Sequence, residues 1–148
     1  MTVTLTGVFT DKGRETLAKA MANIAGFPQT RAVYFKIGMG GYVDTPSGRV
    51  PKDPNPALTD IEATGAPGDF SIQKNLNALD FVFIAPSTMQ IRCQLSGSEA
   101  NDDGLGNAPR LFEVGIFDDN GNMLIYATFP EQTKAANKIL TNYVQAYF

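Results

Sequence analysis

The alternation of apolar and polar residues is strongest in Phe112-Glu-Val-Gly-Ile-Phe-Asp-Asp-Asn-Gly-Asn-Met-Leu-Ile-Tyr-Ala-Thr-Phe129. Two apolar runs flank Asp118-Asp119-Asn120-Gly121, and β-branched and aromatic runs joined by a short Asn-Gly loop predict a hairpin. Phe112, Val114 and Ile116 alternate with Glu113, Gly115 and Phe117, while Met123, Ile125, Ala127 and Phe129 alternate with Leu124, Tyr126 and Thr128. Neither strand has a purely polar face, so both faces are covered in part and the hairpin lies inside a larger antiparallel sheet. Gly115, in mid-strand, predicts a large group or another backbone lying over it.

The same period of two predicts further strands. Over 32–37, Val33, Phe35 and Ile37 share one face, and Gly38-Met39-Gly40-Gly41 closes the run. Order returns at 79–84, and then Met89, Ile91, Cys93 and Leu95 alternate inward against Gln90, Arg92 and Gln94 outward. The aromatic and β-branched residues of 139–148 predict a closing strand. A period near 3.6 occurs over 11–25, where Leu17, Met21 and Ile24 recur on one face behind an N-cap at Thr10 or Asp11, with Gly26 and Pro28 as the stop. This helix is expected to lie across the sheet with those three side chains buried. The pattern as a whole predicts an α+β fold: an N-terminal helix packed on a mainly antiparallel β-sheet or sandwich, as one domain over 1–148.

Between Gly41 and Asn75 neither period survives, and Pro46, Pro51, Pro54, Pro56 and Pro67 mix with glycines. A structureless stretch longer than roughly 12 to 15 residues is uncommon in a compact domain unless it is functional or mobile. Residues 41–75 are therefore expected to form an extended loop or arm that is ordered by contact with neighbouring chains, with Val50, Leu58, Ile61 and Phe70 as its contact points.

Composition narrows the function. The chain has 148 residues, 43% of them apolar, which is enough to bury a core without staples or metals. A net charge of −3 with scattered basic residues argues against a nucleic-acid partner or an anionic membrane surface. No apolar stretch approaches the ~20 residues of a membrane-spanning helix, and the N-terminus has no basic segment ahead of an apolar one. The lone Cys93 lies on the apolar side of its strand and reads as buried and inert. The absence of histidine removes the commonest general base and metal ligand. Glu99, Asp102 and Asp103 gather acid in one loop and Asp118 and Asp119 in another. Counted from Asp118, Asn120 and Asn122 fit a calcium loop, but Met123 stands where its glycine belongs, so these read as solvated turns. No residue is assigned to catalysis, a cofactor or a metal, and the chain is not expected to be an enzyme. Tyr126, Phe129, Tyr143, Tyr147 and Phe148 are placed, by strand spacing, in the core or at a subunit interface, with Tyr143 and Tyr147 as the interface candidates.

Three pieces of the chain resemble a known family. Thr10-Asp-Lys-Gly-Arg-Glu-Thr-Leu-Ala-Lys-Ala20, Tyr34-Phe-Lys-Ile-Gly-Met-Gly-Gly41 and Arg110-Leu-Phe-Glu-Val-Gly-Ile-Phe-Asp-Asp-Asn-Gly-Asn-Met-Leu-Ile-Tyr126, with Pro130 beyond, are similar to the N-terminal domain of phage tail-collar fibre proteins. The likeness covers the chain up to Gly41 and from Arg110 onward. It implies a virion structural protein of a tailed phage, a baseplate component or adaptor connecting the baseplate to tail fibres. Such a protein is made in the host cytoplasm, joins other tail proteins and works as a homo-oligomer, with a trimer favoured. The alternative is a stand-alone β-rich module that binds a carbohydrate or peptide in receptor recognition.

Overall fold

The computed structural model describes residues 1–22 and 31–148. The strands are β1 (Thr2–Thr6), β2 (Val8–Phe9), β3 (Ala32–Gly38), β4 (Tyr42–Thr45), β5 (Gly48–Pro51), β6 (Ser71–Asn75), β7 (Phe81–Ala85), β8 (Thr88–Leu95), β9 (Arg110–Asp118), β10 (Met123–Thr133) and β11 (Leu140–Tyr147). One α-helix, α1 (Asp11–Met21), and a single 3-10 turn at Ala78–Asp80 complete the described elements. Four strands in the order β1-β11-β8-β7 make sheet A, and five in the order β2-β10-β9-β3-β6 make sheet B. β1 pairs parallel to β11, and every other pairing is antiparallel.

The inner faces of the two sheets share one core. Leu5, Ile91, Cys93, Leu95, Leu140 and Val144 from sheet A meet Phe35, Ile37, Val114, Ile116, Ile125 and Phe129 from sheet B. The alternation seen in 88–95 holds from Gln90 to Leu95, with Ile91, Cys93 and Leu95 fully buried and Gln90, Arg92 and Gln94 on the wetter face, while Met89 is only partly buried and Thr88 is buried. The 112–129 hairpin is β9–β10, and it is interior to sheet B as its two-sided apolarity requires. Its loop is fixed by the Asp118 carboxylate, which accepts from the backbone N–H groups of Asn120 and Asn122, both at 2.9 Å, while Gly121 takes φ +80°.

The α+β expectation is corrected. The protein is mainly β, 49% strand against 10% helix, and α1 is not a layer laid over a sheet. Only Gly13 and Thr16 of the helix are buried. Leu17 is half-buried, Met21 is 88% exposed, and Ile24 lies outside the described residues. The helix is anchored by its first turn instead. Thr10 caps it, accepting from Gly13 N–H at 2.8 Å and donating its hydroxyl proton to the Met123 carbonyl at 2.5 Å. At Gly13 the backbone of β10 comes so close that a Cβ would stand 2.2 Å from the Leu124 carbonyl oxygen.

Residues 41–75 do not form an extended arm. They fold onto the domain as a hairpin, β4–β5, a loop over 52–70, and β6 at the edge of sheet B. The loop covers the outer face of the β9–β10 hairpin, where Ile61 and Ala63 join Phe117, Met123 and Tyr126 in a second, smaller core. A Cβ on Gly115 would lie 3.1 Å from the Ile61 side chain, which is the covering group its mid-strand glycine calls for. The segment lacks a period because its strands are only four or five residues long and the 52–70 loop between them follows the surface of a sheet.

Candidate functional site

The most developed polar site lies where this loop meets sheet B. Glu113 faces outward from β9 and is fully buried. Its Oε2 accepts from the Tyr126 hydroxyl at 2.6 Å and from Glu62 N–H at 2.9 Å, and its Oε1 accepts from Ala63 N–H at 2.8 Å. The carboxylate therefore supplies acceptors to a loop that has no strand partner, which two buried N–H groups require. Gly40 and Gly41 make room for it: a Cβ on Gly40 would stand 2.7 Å from Glu113 Oε1, and one on Gly41 would stand 3.0 Å from the Tyr126 oxygen. Burial pushes the Glu113 carboxyl above the usual glutamate range, while its three donors pull it back in part. Tyr126 is pushed up as well, first by burial and then by the charge of Glu113. Glu113 and Tyr126 are buried beneath the loop, and the carboxylate's bonds to Glu62 and Ala63 hold that loop down.

A second set of polar residues ties the 96–109 loop. Lys74 bonds Glu99 at 2.8 Å and, helped by Ser96 N–H, holds its carboxyl down at about 2. Lys134 is fully buried, donating to the Asn101 carboxamide oxygen at 2.9 Å and to the Ala135 carbonyl at 3.1 Å, and burial lowers its affinity for the proton. Sequence patterns gave no sign of this lysine, because it follows the alternating part of β10. Asp102 and Asp103 turn their carboxylates onto backbone N–H groups of their own loop. Among the described residues no cluster of three or more acidic or thiol side chains is placed to hold a metal. Cys93 is buried with its thiol pushed far up by burial.

Of the six residues expected at a partner interface, two are exposed. Val50 is 40% exposed and sits opposite Val43 on the β4–β5 hairpin, and Tyr147 is 54% exposed at the end of β11. Tyr143 is half-buried on the outer face of sheet A, in register with Arg92. Leu58 and Phe70 are half-buried against the two cores, and Ile61 is buried. These last three contact this chain itself, because the loop that carries them is folded back. Tyr126 and Phe129 are buried and Phe148 packs edge-on against Phe9 with ring centroids 5.1 Å apart, so the five aromatic residues form no common platform.

The apolar surface lies elsewhere, at one corner of the sandwich. Leu79, Val82, Phe83 and Ile84 are 84%, 50%, 67% and 50% exposed, on or beside β7, the outermost strand of sheet A. Next to them an open groove of about 930 Å³ runs between the sheets, lined by Phe9, Leu17, Phe81, Phe83, Leu124 and Phe148. An uncharged Phe81-Val-Phe-Ile-Ala85 run reads from sequence as a buried strand, and that is why its exposure was not foreseen. The signal present was the neighbouring β8, whose one wet face already showed that this sheet is covered on a single side. Comparison with protein-family models, with curated proteins and with solved structures returns no match, so the tail-collar likeness rests on the quoted motifs.

Proposed function

We propose that the protein is a structural component of a phage tail, placed at the baseplate or between the baseplate and the tail fibres, and that it acts by docking onto other tail proteins as a homo-oligomer. The observation that carries the reading is the meeting of two of the motif pieces. Gly40 and Gly41, from Tyr34-Phe-Lys-Ile-Gly-Met-Gly-Gly41, pack on Glu113, from Glu113-Val-Gly-Ile-Phe-Asp118, around one buried carboxylate. Residues about 70 positions apart in the chain share one packing problem, so the resemblance extends to residues that depend on each other rather than to scattered identities. The exposed apolar corner suits a part that is finished by its neighbours, since contiguous apolar surface on a soluble domain marks interaction sites. No catalytic role is assigned.

The reading is tested by quantitative mass spectrometry of purified tailed particles from cells carrying the gene. The expected result is the chain in a fixed multiple, retained in isolated tails and baseplates. Its absence from particles that are otherwise complete would sink the proposal. The outer face of sheet A favours the second reading to a lesser degree, because Tyr143 and Tyr147 stand there among Gln90, Gln94 and Gln145, with Arg92 in register with Tyr143. Retention of the purified chain on a glycan array, abolished by Tyr147→Ala, is the result that would move the assignment to a carbohydrate-binding module.

A further inference from the structure

We infer that Lys134 and Asn101 form a modification site, at which the Lys134 amine condenses with the Asn101 carboxamide and joins the end of β10 to the 96–109 loop by a side-chain amide bond. Lys134 is 1% exposed, and among the described residues its Nζ meets only neutral oxygens, the Asn101 Oδ1 at 2.9 Å and the Ala135 carbonyl at 3.1 Å. A lysine buried without a counter-charge is costly as an ammonium, and such a group sheds its proton instead. The carboxylate whose charge acts on it, Glu99, is already bonded to Lys74 at 2.8 Å. Burial outweighs that charge and lowers the proton affinity of Nζ, which favours the free amine, the form of lysine that acts as a nucleophile.

The electrophile is held in place for it. Asn101 Nδ2 donates to the Gly97 carbonyl at 2.9 Å, which turns Oδ1 toward Lys134. Backbone bonds fix the surroundings of both partners: Lys134 N–H donates to the Pro109 carbonyl at 2.9 Å, and Asn137 N–H donates to the same Gly97 carbonyl at 2.9 Å. Among the described residues, the two other than glycine with positive φ are Ala100, at 55°, and Asn137, at 62°. One precedes Asn101 and the other makes that Gly97 contact, so this unfavourable backbone is gathered at the pair, as it is at sites that position reacting groups. An amide resists an amine in dilute solution, and holding the two together raises their effective concentration by many orders of magnitude. In the step, Nζ swings from the oxygen on its flexible stem and adds to Cγ. The Cγ–Nδ2 bond then breaks, and one amine proton passes to the departing nitrogen, which leaves as ammonia. Asn101 is half-buried, so the ammonia has a path to solvent. The balance needs no oxidant and no cofactor. The product is a covalent ring that contains β9 and β10, and the inference is independent of the tail assignment.

Intact-mass measurement of the purified wild-type chain, followed by trypsin digestion of the unfolded chain and tandem mass spectrometry of the peptides, tests it. The expected mass is that of the sequence less one ammonia, with the bond after Lys134 uncut and its peptide joined to the one that contains Asn101. Lys134→Arg, which keeps the charge but has no nucleophilic amine, and Asn101→Ala should each keep the full mass, with circular dichroism to verify that they are folded. The wild-type result decides by itself if a variant fails to fold. The full sequence mass after prolonged incubation of the native chain at neutral and mildly alkaline pH, with trypsin cutting after Lys134, would overturn the inference. So would an ammonia loss that maps to another residue, such as Asn120 ahead of Gly121, or that persists unchanged in Lys134→Arg.

Discussion

At the scale of single residues, Glu113 decides most. A buried carboxylate between a sheet and its covering loop is a poor choice for stability unless its acceptors are needed, and here Glu62 N–H, Ala63 N–H and the Tyr126 hydroxyl all need them. Glu113→Gln keeps the volume but puts an amide donor where only acceptors serve. The expected loss is about 1 to 3 kcal/mol, the cost of a buried donor left unpaired. The carboxyl also leaves a signature in pH. Its folded value is raised, so the native state binds the proton more tightly than the unfolded chain does. The resulting stabilisation is complete below the unfolded glutamate value and is lost as pH rises through the folded one. Denaturant melts of the wild type should therefore show stability falling with pH across that window. In Glu113→Gln the same component of the slope should be missing, and an unchanged slope would show that the carboxylate is not the group responsible.

At the scale of elements, the strands were legible and the helix was misjudged. Leu17, Met21 and Ile24 repeat at helical spacing, yet the contact that positions α1 runs through Thr10 and Gly13, which carry no apolar period at all. Strand positions were readable because two covered faces leave a period of two in Phe112–Phe129 and in Met89–Leu95. Which faces were covered, and by what, depended on a loop without any period. Two substitutions separate the readings of the helix. In an exposed helix Gly→Ala gains about 0.5 to 1 kcal/mol from reduced chain entropy. At Gly13 the new methyl would meet the Leu124 carbonyl oxygen at 2.2 Å, so Gly13→Ala should instead destabilise by about 1 to 3 kcal/mol. Leu17→Ala, at a half-buried site, should cost less than the roughly 2 kcal/mol at which fully buried leucines begin. Thermal melts in which Gly13→Ala stabilised, or Leu17→Ala cost more than the roughly 2 kcal/mol of a fully buried leucine, would count against this account of how the helix is held.

At the scale of the whole molecule, the proline-rich segment closes the domain. Five prolines and no period suggested an arm, but prolines also reduce the entropy lost when a loop is fixed to its own surface. The structure fixes it at many points. Arg49 lies over the Tyr42 ring at 4.3 Å and reaches Asp44 at 3.4 Å. Lys52 donates its N–H to the Gly41 carbonyl at 2.9 Å and its ammonium to Glu62 at 2.8 Å, and Thr128 of β10 donates to the Lys52 carbonyl at 2.5 Å. Lys74 lies within β6 and donates to the Gln94 carbonyl at 2.9 Å, bridging the two sheets. Pro56 accepts from Asp11 N–H at 2.8 Å, which ties the start of α1 to the same loop. Cleavage by trypsin requires a stretch of backbone to leave its surroundings, and segments held this way open only with large parts of the fold. Arg49, Lys52 and Lys74 should therefore resist trypsin in the isolated protein, with cleavage rates that rise with denaturant in parallel with global unfolding. Rapid cutting at Arg49 or Lys52 under native conditions, leaving the rest of the chain intact, would show that the cover over Glu113 lifts by itself and would return the segment to the role of a partner-binding arm.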